Sequence, residues 1–196
     1  MPLNPTVADM VSRITRFGTA PTNRYTIDFS NSYSGIKIIQ SVLLTKRLSS
    51  SLESVSVPGI GIASNPQRFS SGPEREMPYG RTYEQSVDMT FLVGADYFER
   101  QFFTDWMTKI QNQGTNTFGY YKDYVCDLTI NLLDRKDRVR YACKLYEVWP
   151  KSVAAIEVGA ETEGLAKQTV SMAYRWWEQV EPFSGRPINP QTTGAA

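Results

Sequence analysis

The chain has 196 residues, of which 41% are hydrophobic, and its 21 basic side chains nearly balance 20 acidic ones. This content suffices for one sizeable core, and the formal net charge of +1 argues against a protein that holds nucleic acid by bulk positive charge. The lack of histidine removes the commonest general base and the commonest metal ligand. A near-neutral chain can also approach copies of itself with little repulsion.

A short amphipathic helix is predicted near the N-terminus, in an arm of residues 1–20. Thr6 and Asp9 form a Thr-x-x-Asp start signal, and Gly18 is suited to end the helix. Apolar side chains recur on one face at helical spacing: Val7, Met10, Val11, Ile14 and Phe17. We expect no cleaved signal peptide and no membrane anchor, since no basic segment precedes an apolar one and no apolar run has spanning length.

Strand patterns begin after the arm. "RYTIDFS" (24–30) alternates as a strand, whereas "IKIIQSVLL" fits a second strand or an insertion of uncertain type. "LESVSVPGIGI" predicts a strand that ends at Pro58-Gly59. Residues 63–81 lack apolar periodicity, contain prolines and carry both charges, which is typical of a long functional or disordered loop.

The middle of the chain predicts one strand and the only substantial helix. Residues 82–93 alternate, with Val87, Met89 and Phe91 on one side. Aromatic side chains spaced by four then predict a helix over 96–113 that Gly114 ends. We interpret this aromatic stripe as core packing.

The last third predicts a hairpin and a closing strand. "YVCDLTINLLD" and "RVRYACKLYEVW" flank the tight link "RKD", and the second strand should end at Trp149-Pro150. "QTVSMAYRWWEQV" reads as one final strand, followed by a C-terminal extension of residues 182–196. Cys126 and Cys143 fit small core residues, with a structural disulfide as the alternative. The basic residues near the link fit a solvated turn better than a phosphate site.

Together these patterns predict a mostly β protein with one main helix, built on an antiparallel sheet of about six or seven strands. Polar residues at alternate positions indicate a sheet that faces water or lines a wet channel. No nucleotide-binding loop and no positioned carboxylate pair is recognisable. We therefore expect no catalytic residue, no metal site, no cofactor and no enzymatic activity.

The order of these segments resembles the tail tube proteins of contractile-tailed, T4-like bacteriophages. The resemblance rests on "RTY" at Arg81, on "FxDW" in the helix at 103–106, on "WPxxV" at 149–153 and on "YxWWE" at 174–178. It covers about residues 6–180 and departs from the family near 36–48 and after 182.

The resemblance implies an antiparallel sandwich or barrel protomer over residues 21–181. Six copies of such proteins join their sheets into one continuous barrel, and the hexameric rings stack into a hollow tube that carries DNA without binding it specifically. The expected partners are copies of the chain itself, the tail sheath and the baseplate. The expected location is the virion tail, after synthesis in the host cytoplasm. A tube-initiating baseplate ring protein of the same fold is an alternative, and a monomeric β-rich binding module is another.

Three sets of residues are candidates for assembly on this reading. Contacts between rings are expected from the charged, proline-stiffened loop: Glu74, Arg75, Glu76, Tyr79 and Arg81. The N-terminal helix, through its apolar stripe, is expected at a subunit boundary. The polar sides of two strands are candidates for the channel lining: Asp88, Thr90, Asp127, Thr129 and Asn131.

Overall fold

The computed structural model describes residues 6–30, 42–68, 72–159 and 164–182. Within these ranges the helices are α1 (Val7–Phe17), α2 (Val42–Ser51), α3 (Phe98–Ile110) and α4 (Tyr121–Tyr124). The strands in the same ranges are β1 (Tyr25–Ser30), β2 (Leu52–Val55), β3 (Ile60–Gln67), β4 (Arg75–Tyr83), β5 (Ser86–Leu92), β6 (Gln111–Asn112), β7 (Thr117–Phe118), β8 (Cys126–Leu133), β9 (Val139–Val153), β10 (Lys167–Ala173) and β11 (Trp176–Val180).

Seven strands form one antiparallel sheet in two parts that share β9. The order is β1-β8-β9-β10-β5-β2, and β11 also pairs with β9. We call the part with β1, β8, β11 and the first half of β9 sheet A, and the part with β10, β5, β2 and the end of β9 sheet B. The predicted mostly β, antiparallel architecture is confirmed, and the described strands do not close into a barrel.

The long strand β9 corrects the predicted strand end at Trp149-Pro150. It bends near Glu147, whose backbone has φ +56°, and continues to Val153. Pro150 is tolerated because the register with β10 shifts beside it, between Ser171 and Met172. At such a bulge a missing backbone N–H disrupts little of the hydrogen-bond ladder.

The inward faces of both sheets and α3 share one hydrophobic core. The rings of Phe91 and Phe103 lie 5.2 Å apart, and Trp106 donates its indole N–H to the Tyr124 carbonyl at 2.8 Å. Cys126 and Cys143 are free and buried, so the core interpretation is confirmed and the disulfide is not present. The predicted aromatic stripe is therefore the part of α3 that packs against both sheets.

The helix α3 is shorter than the predicted 96–113. It ends at Ile110, and the chain continues into the small β6–β7 hairpin. The side chain of Asn112 accepts hydrogen bonds from the backbone N–H groups of Gly114 and Thr115. This local turn competes with further helical bonding, which explains the early end.

Two other predicted elements differ in the structure. The closing strand divides into β10 and β11 around Arg175, because β10 pairs in sheet B and β11 in sheet A. The prediction of a strand in "IKIIQSVLL" is wrong for its last residues, because Val42 begins the helix α2. The residues of this segment before Val42 lie outside the described residues. In α2 Leu48 is buried, and Arg47 donates to Asp96 at 2.7 Å, so tertiary packing fixes this helix.

Replacing Phe103 by alanine should lower the free energy of unfolding by about 3–5 kcal/mol. The side chain is fully buried and contacts Phe91, Phe102 and Trp106, so the truncation leaves a cavity in the shared core. Urea unfolding followed by circular dichroism measures the change. Thr104→Ala, on the exposed side of α3, should stay within about 0.5 kcal/mol of the wild type; equal effects would show that α3 does not anchor the core.

Candidate assembly surfaces

Residues 63–81, predicted as a long loop, largely form the β3–β4 hairpin instead. Ile60 pairs with Tyr83 and Gln67 with Arg75 in a separate two-stranded sheet, with a bulge beside Tyr79. Every residue of both strands is exposed or half-buried. A strand shows apolar alternation in its sequence only when one face is buried, so an exposed hairpin has no such signal. "PGIGI", interpreted as a strand end, leads into β3.

The hairpin divides the predicted ring-contact residues between its two faces. Arg81 lies opposite Ile62, and Glu76 lies opposite Pro66 and hydrogen-bonds Ser64, so both charges share the face of Ile60 and Ile62. Arg75 pairs with Gln67 on the other face. The remaining two candidates are exposed: Glu74 just before β4 and Tyr79, 69% exposed, at the bulge. The apolar isoleucines on this face were not identified from the sequence.

The helix α1 forms as predicted and keeps its apolar stripe exposed. Thr6 accepts from the Asp9 backbone N–H, and its own N–H and hydroxyl donate to the Asp9 carboxylate at 2.9 Å. These hydrogen bonds lower the pKa of Asp9. Four members of the stripe are 46–79% exposed: Val7, Met10, Val11 and Ile14. The side chain of Phe17, the fifth member, lies outside the described residues.

The channel-lining candidates fall on two different surfaces. Asp88 and Thr90 belong to the outward face of sheet B, whereas Thr129 and Asn131 belong to the outward face of sheet A. Each face points away from the shared core, because Met89 and Ile130 on the alternate positions are fully buried. The sequence patterns were correct about alternation but gave no information on which strands share a face.

The outward face of sheet A carries charges that contact one another. Lys144 and Asp127 form an ion pair at 3.0 Å, and Asn131 donates to Asp28 at 2.9 Å. Asp127 is only 1% exposed, so its place among the lining candidates is corrected: its carboxylate is enclosed beside Lys144. Finding this partner requires the strand register, which the sequence alone does not provide.

An aromatic pair completes the sheet A face. The rings of Tyr146 and Trp176 stack with centroids 4.0 Å apart, and the Tyr146 hydroxyl donates to Glu178. Burial, followed by this carboxylate, raises the pKa of Tyr146, so its phenol stays a neutral donor at physiological pH. The face therefore carries charged and aromatic groups that contact one another.

The outward face of sheet B consists mainly of small hydroxyl side chains. Thr90 and Thr169 are paired across the strands with their hydroxyl oxygens 3.2 Å apart, and Asp88 lies opposite Ser171. The face is completed by Ser54 on β2 and Ser152 on β9. Lys167 at its border pairs with Glu53.

The two sheets also differ in their edges. The outer edge of β1 in sheet A is partly occupied by α2, where the Ile27 N–H donates to the Ser49 hydroxyl at 3.2 Å. In sheet B, no described strand pairs with the far side of β2 or with the far side of β9 beyond Trp149. Sheet B thus has an edge without a partner strand on each side, although the Tyr25 hydroxyl donates to the Glu53 carbonyl of β2. An edge of this kind is a template for pairing with another chain.

The described residues contain no group of three or more His, Cys, Asp or Glu side chains that could hold a metal ion. In the same residues, no helix combines the length and the apolar character needed to cross a membrane.

Comparison with known proteins agrees with this architecture. A family model described as phage tail tube protein matches residues 20–180. No curated protein matches the sequence. A chain of the PVC sheath-tube complex, an extracellular contractile injection system in its extended state, has a TM-score of 0.59 at 16% identity and covers 86% of this chain and 95% of its own. A chain of the six-fold symmetrised anti-feeding prophage baseplate has a TM-score of 0.62 at 11% identity, with 84% and 97% covered.

The family match over residues 20–180, together with the fold, defines a structural tube protein and not an enzyme. The chain belongs to the phage tail tube protein family. It is a structural protein of the tail tube. The likeness to the solved injection-system chains concerns the fold alone.

Replacing Lys144 by methionine should lower the free energy of unfolding by about 1–3 kcal/mol, because the enclosed Asp127 carboxylate loses this ion pair while the aliphatic packing is kept. Unfolding in urea, which leaves ion pairs unscreened, measures the change when it is followed by circular dichroism. The double variant Asp127→Asn with Lys144→Met should recover part of the loss, since the buried negative charge is then removed together with the positive one. A double variant that is less stable than Lys144→Met alone would contradict this account of the ion pair.

Proposed function

We propose that six copies of this chain join into a ring, and that the rings stack into the hollow tube through which phage DNA leaves the particle. The observation that carries this proposal is the pair of open edges of sheet B. A ring in which every copy pairs with two neighbours needs one open edge on each side of the same sheet, and closure of the ring removes the exposed edges of that sheet. The obstructed β1 edge makes sheet A unsuited to this role.

The chemistry of the outward face of sheet B supports its assignment as the channel wall. Hydroxyl groups hydrate the surface, and Asp88 repeated around a ring repels phosphate groups. A polyanion can then pass without being held. Asp88 and Thr90 are therefore retained as proposed lining residues, whereas Thr129 and Asn131, on the other face, are not.

The hairpin and α1 are proposed to join copies beyond the shared sheet. The β3–β4 hairpin leaves the sheet between β2 and β5, so it can reach an adjacent ring, with mixed charges that set the register by complementarity. The helix α1 is proposed to lie at a subunit boundary. In the particle, the sheath and the baseplate are the further partners, the location is the virion tail, and synthesis takes place in the host cytoplasm.

Charge reversal in the hairpin should weaken the stacking of rings and leave the fold intact. The variant Arg75→Glu with Arg81→Glu changes two exposed positions outside the core, so its melting temperature should stay close to that of the wild type. Each exposed ion pair contributes only about 0.2–1 kcal/mol, but repetition around a ring multiplies the loss. Electron micrographs should show shorter tubes, and added salt should shorten wild-type tubes as well.

A matched control carries the same charge change elsewhere: Arg135→Glu with Lys136→Glu, in the β8–β9 turn, should form tubes of normal length. Tubes of normal length from the hairpin variant would contradict its role between rings. Absence of any ring or tube from concentrated wild-type protein on a baseplate template would contradict the proposed function itself.

The wall assignment can be tested by labelling introduced cysteines in assembled tubes. Thr169→Cys, on the outward face of sheet B, should react with a small maleimide that enters through the tube ends and resist one carrying a long polyethylene glycol chain. The free protomer should react with both reagents. Asp28→Cys, exposed on sheet A, serves as the comparison and should not show this size dependence. A Thr169→Cys tube that accepts the bulky reagent would place sheet B away from the channel.

A further inference from the structure

The helix α1 is the described element that the family match does not account for. The matched region begins at residue 20, whereas α1 ends at Phe17. Its apolar stripe is exposed by 79% at Val7, 63% at Met10 and 46% at Ile14. The helix has its own start and stop signals, with a capping box at Thr6 and a Gly18 N–H that donates to the Ile14 carbonyl at 2.8 Å. Its sequence therefore specifies a helix without specifying a partner inside the protomer.

An isolated helix of this length requires packing to be stable. Helices shorter than about 12–15 residues are marginal in water, and α1 has 11 residues. Its charged side chains are one acidic and two basic residues, which is far from the strongly basic polar face of a helix that binds membrane surfaces. The stripe thus suits a protein surface that is itself apolar.

The same chain offers such a surface on the β3–β4 hairpin. Ile60 is 52% exposed and Ile62 is 69% exposed on one face. The length of β3, eight residues or about 26 Å, accommodates a helix of about 16 Å. Glu76 and Arg81 border this face, and Arg13 borders the same hollow as Met10 and Ile14 on α1. Each rim carries both signs, with Asp9 and Arg13 on α1 and Glu76 and Arg81 on the hairpin, so an orientation that joins Arg13 to Glu76 and Asp9 to Arg81 makes the two rims complementary.

We propose that α1 of one copy packs its apolar stripe against the Ile60–Ile62 face of the hairpin of a neighbouring copy. The proposal rests on the proposed stacking of rings and names the occupant of that hairpin surface. Both surfaces are exposed within a single protomer, so they do not contact each other there. The contact is therefore proposed between two copies. Residues 18–24, which connect α1 to β1, span up to about 25 Å when extended, enough for α1 to reach beyond its own protomer.

Disulfide trapping between two differently marked copies tests the contact. Full-length Met10→Cys and Ile62→Cys proteins are mixed, assembled and oxidised, and the products are separated without reductant. A disulfide needs Cα atoms within about 7 Å, so a mixed dimer reports direct packing. The native Cys126 and Cys143 are buried and do not compete. In the control pair, Ser12→Cys and Asn65→Cys place the cysteines on the opposite faces of the same two elements. This pair should give much less mixed dimer.

The result expected is a mixed Met10–Ile62 dimer that forms in tubes and is absent from unassembled protein. Tubes without this dimer, an equal yield from the control pair, or a dominant Met10–Met10 dimer would overturn the contact and leave the tube function standing. A wild-type chain that forms no tubes would overturn the proposed function and the contact together.

The tube lengths of two aspartate variants test the contact without relying on disulfide trapping. Ile14→Asp and Ile62→Asp, both at exposed positions, should leave the circular dichroism melting curve unchanged and each shorten the tubes. Their combination should shorten tubes no further than either change alone, because both remove the same contact. Fully additive shortening would show that the two side chains act at separate interfaces.

Discussion

The fold depends on one constraint, which is that a single strand must satisfy the backbone hydrogen bonds of two sheets. The first half of β9 pairs with β8 and β11, and its end pairs with β10. The change of direction takes place near Glu147, whose side chain accepts from Tyr121 and Arg175, both at about 3 Å. Because the strand bends there, the apolar faces of both sheets turn toward α3 and close one core.

The assembly surfaces follow from this arrangement. When both apolar faces turn inward, the two polar faces turn outward, and these faces differ both in chemistry and in their edges. Sheet A keeps a network of charges and stacked rings beside a partly covered edge, whereas sheet B keeps hydroxyl groups between two open edges. The elements that complete the molecule, α1 and the β3–β4 hairpin, expose apolar side chains that the protomer does not bury. A protomer of this kind is a component whose remaining surfaces are suited to other copies.

The elements that could be predicted from the sequence are those in which the spacing of apolar residues reflects packing on the core. Val87, Met89 and Phe91 alternate because one side of β5 packs on the core, and the aromatic spacing of α3 has the same cause. The β3–β4 hairpin was missed because neither of its faces is buried, and the course of β9 through Pro150 was missed because a bulge depends on the partner strand. Asp127 was assigned to a wet face because alternation gives the side of a strand but not its depth.

The position of β1 in sheet A has a consequence for the synthesis of the chain. β1 is made early, but its partner is β8, and the Asp28–Asn131 contact joins residues 103 positions apart. At about 5–20 residues per second, β1 waits roughly 5–20 s on the ribosome before its partner exists. Contacts so distant in sequence also slow folding, because a long loop must close before they form. Ile27 and Phe29, which are buried in the folded protomer, therefore stay exposed during this interval, and exposed apolar side chains make a nascent chain prone to aggregation.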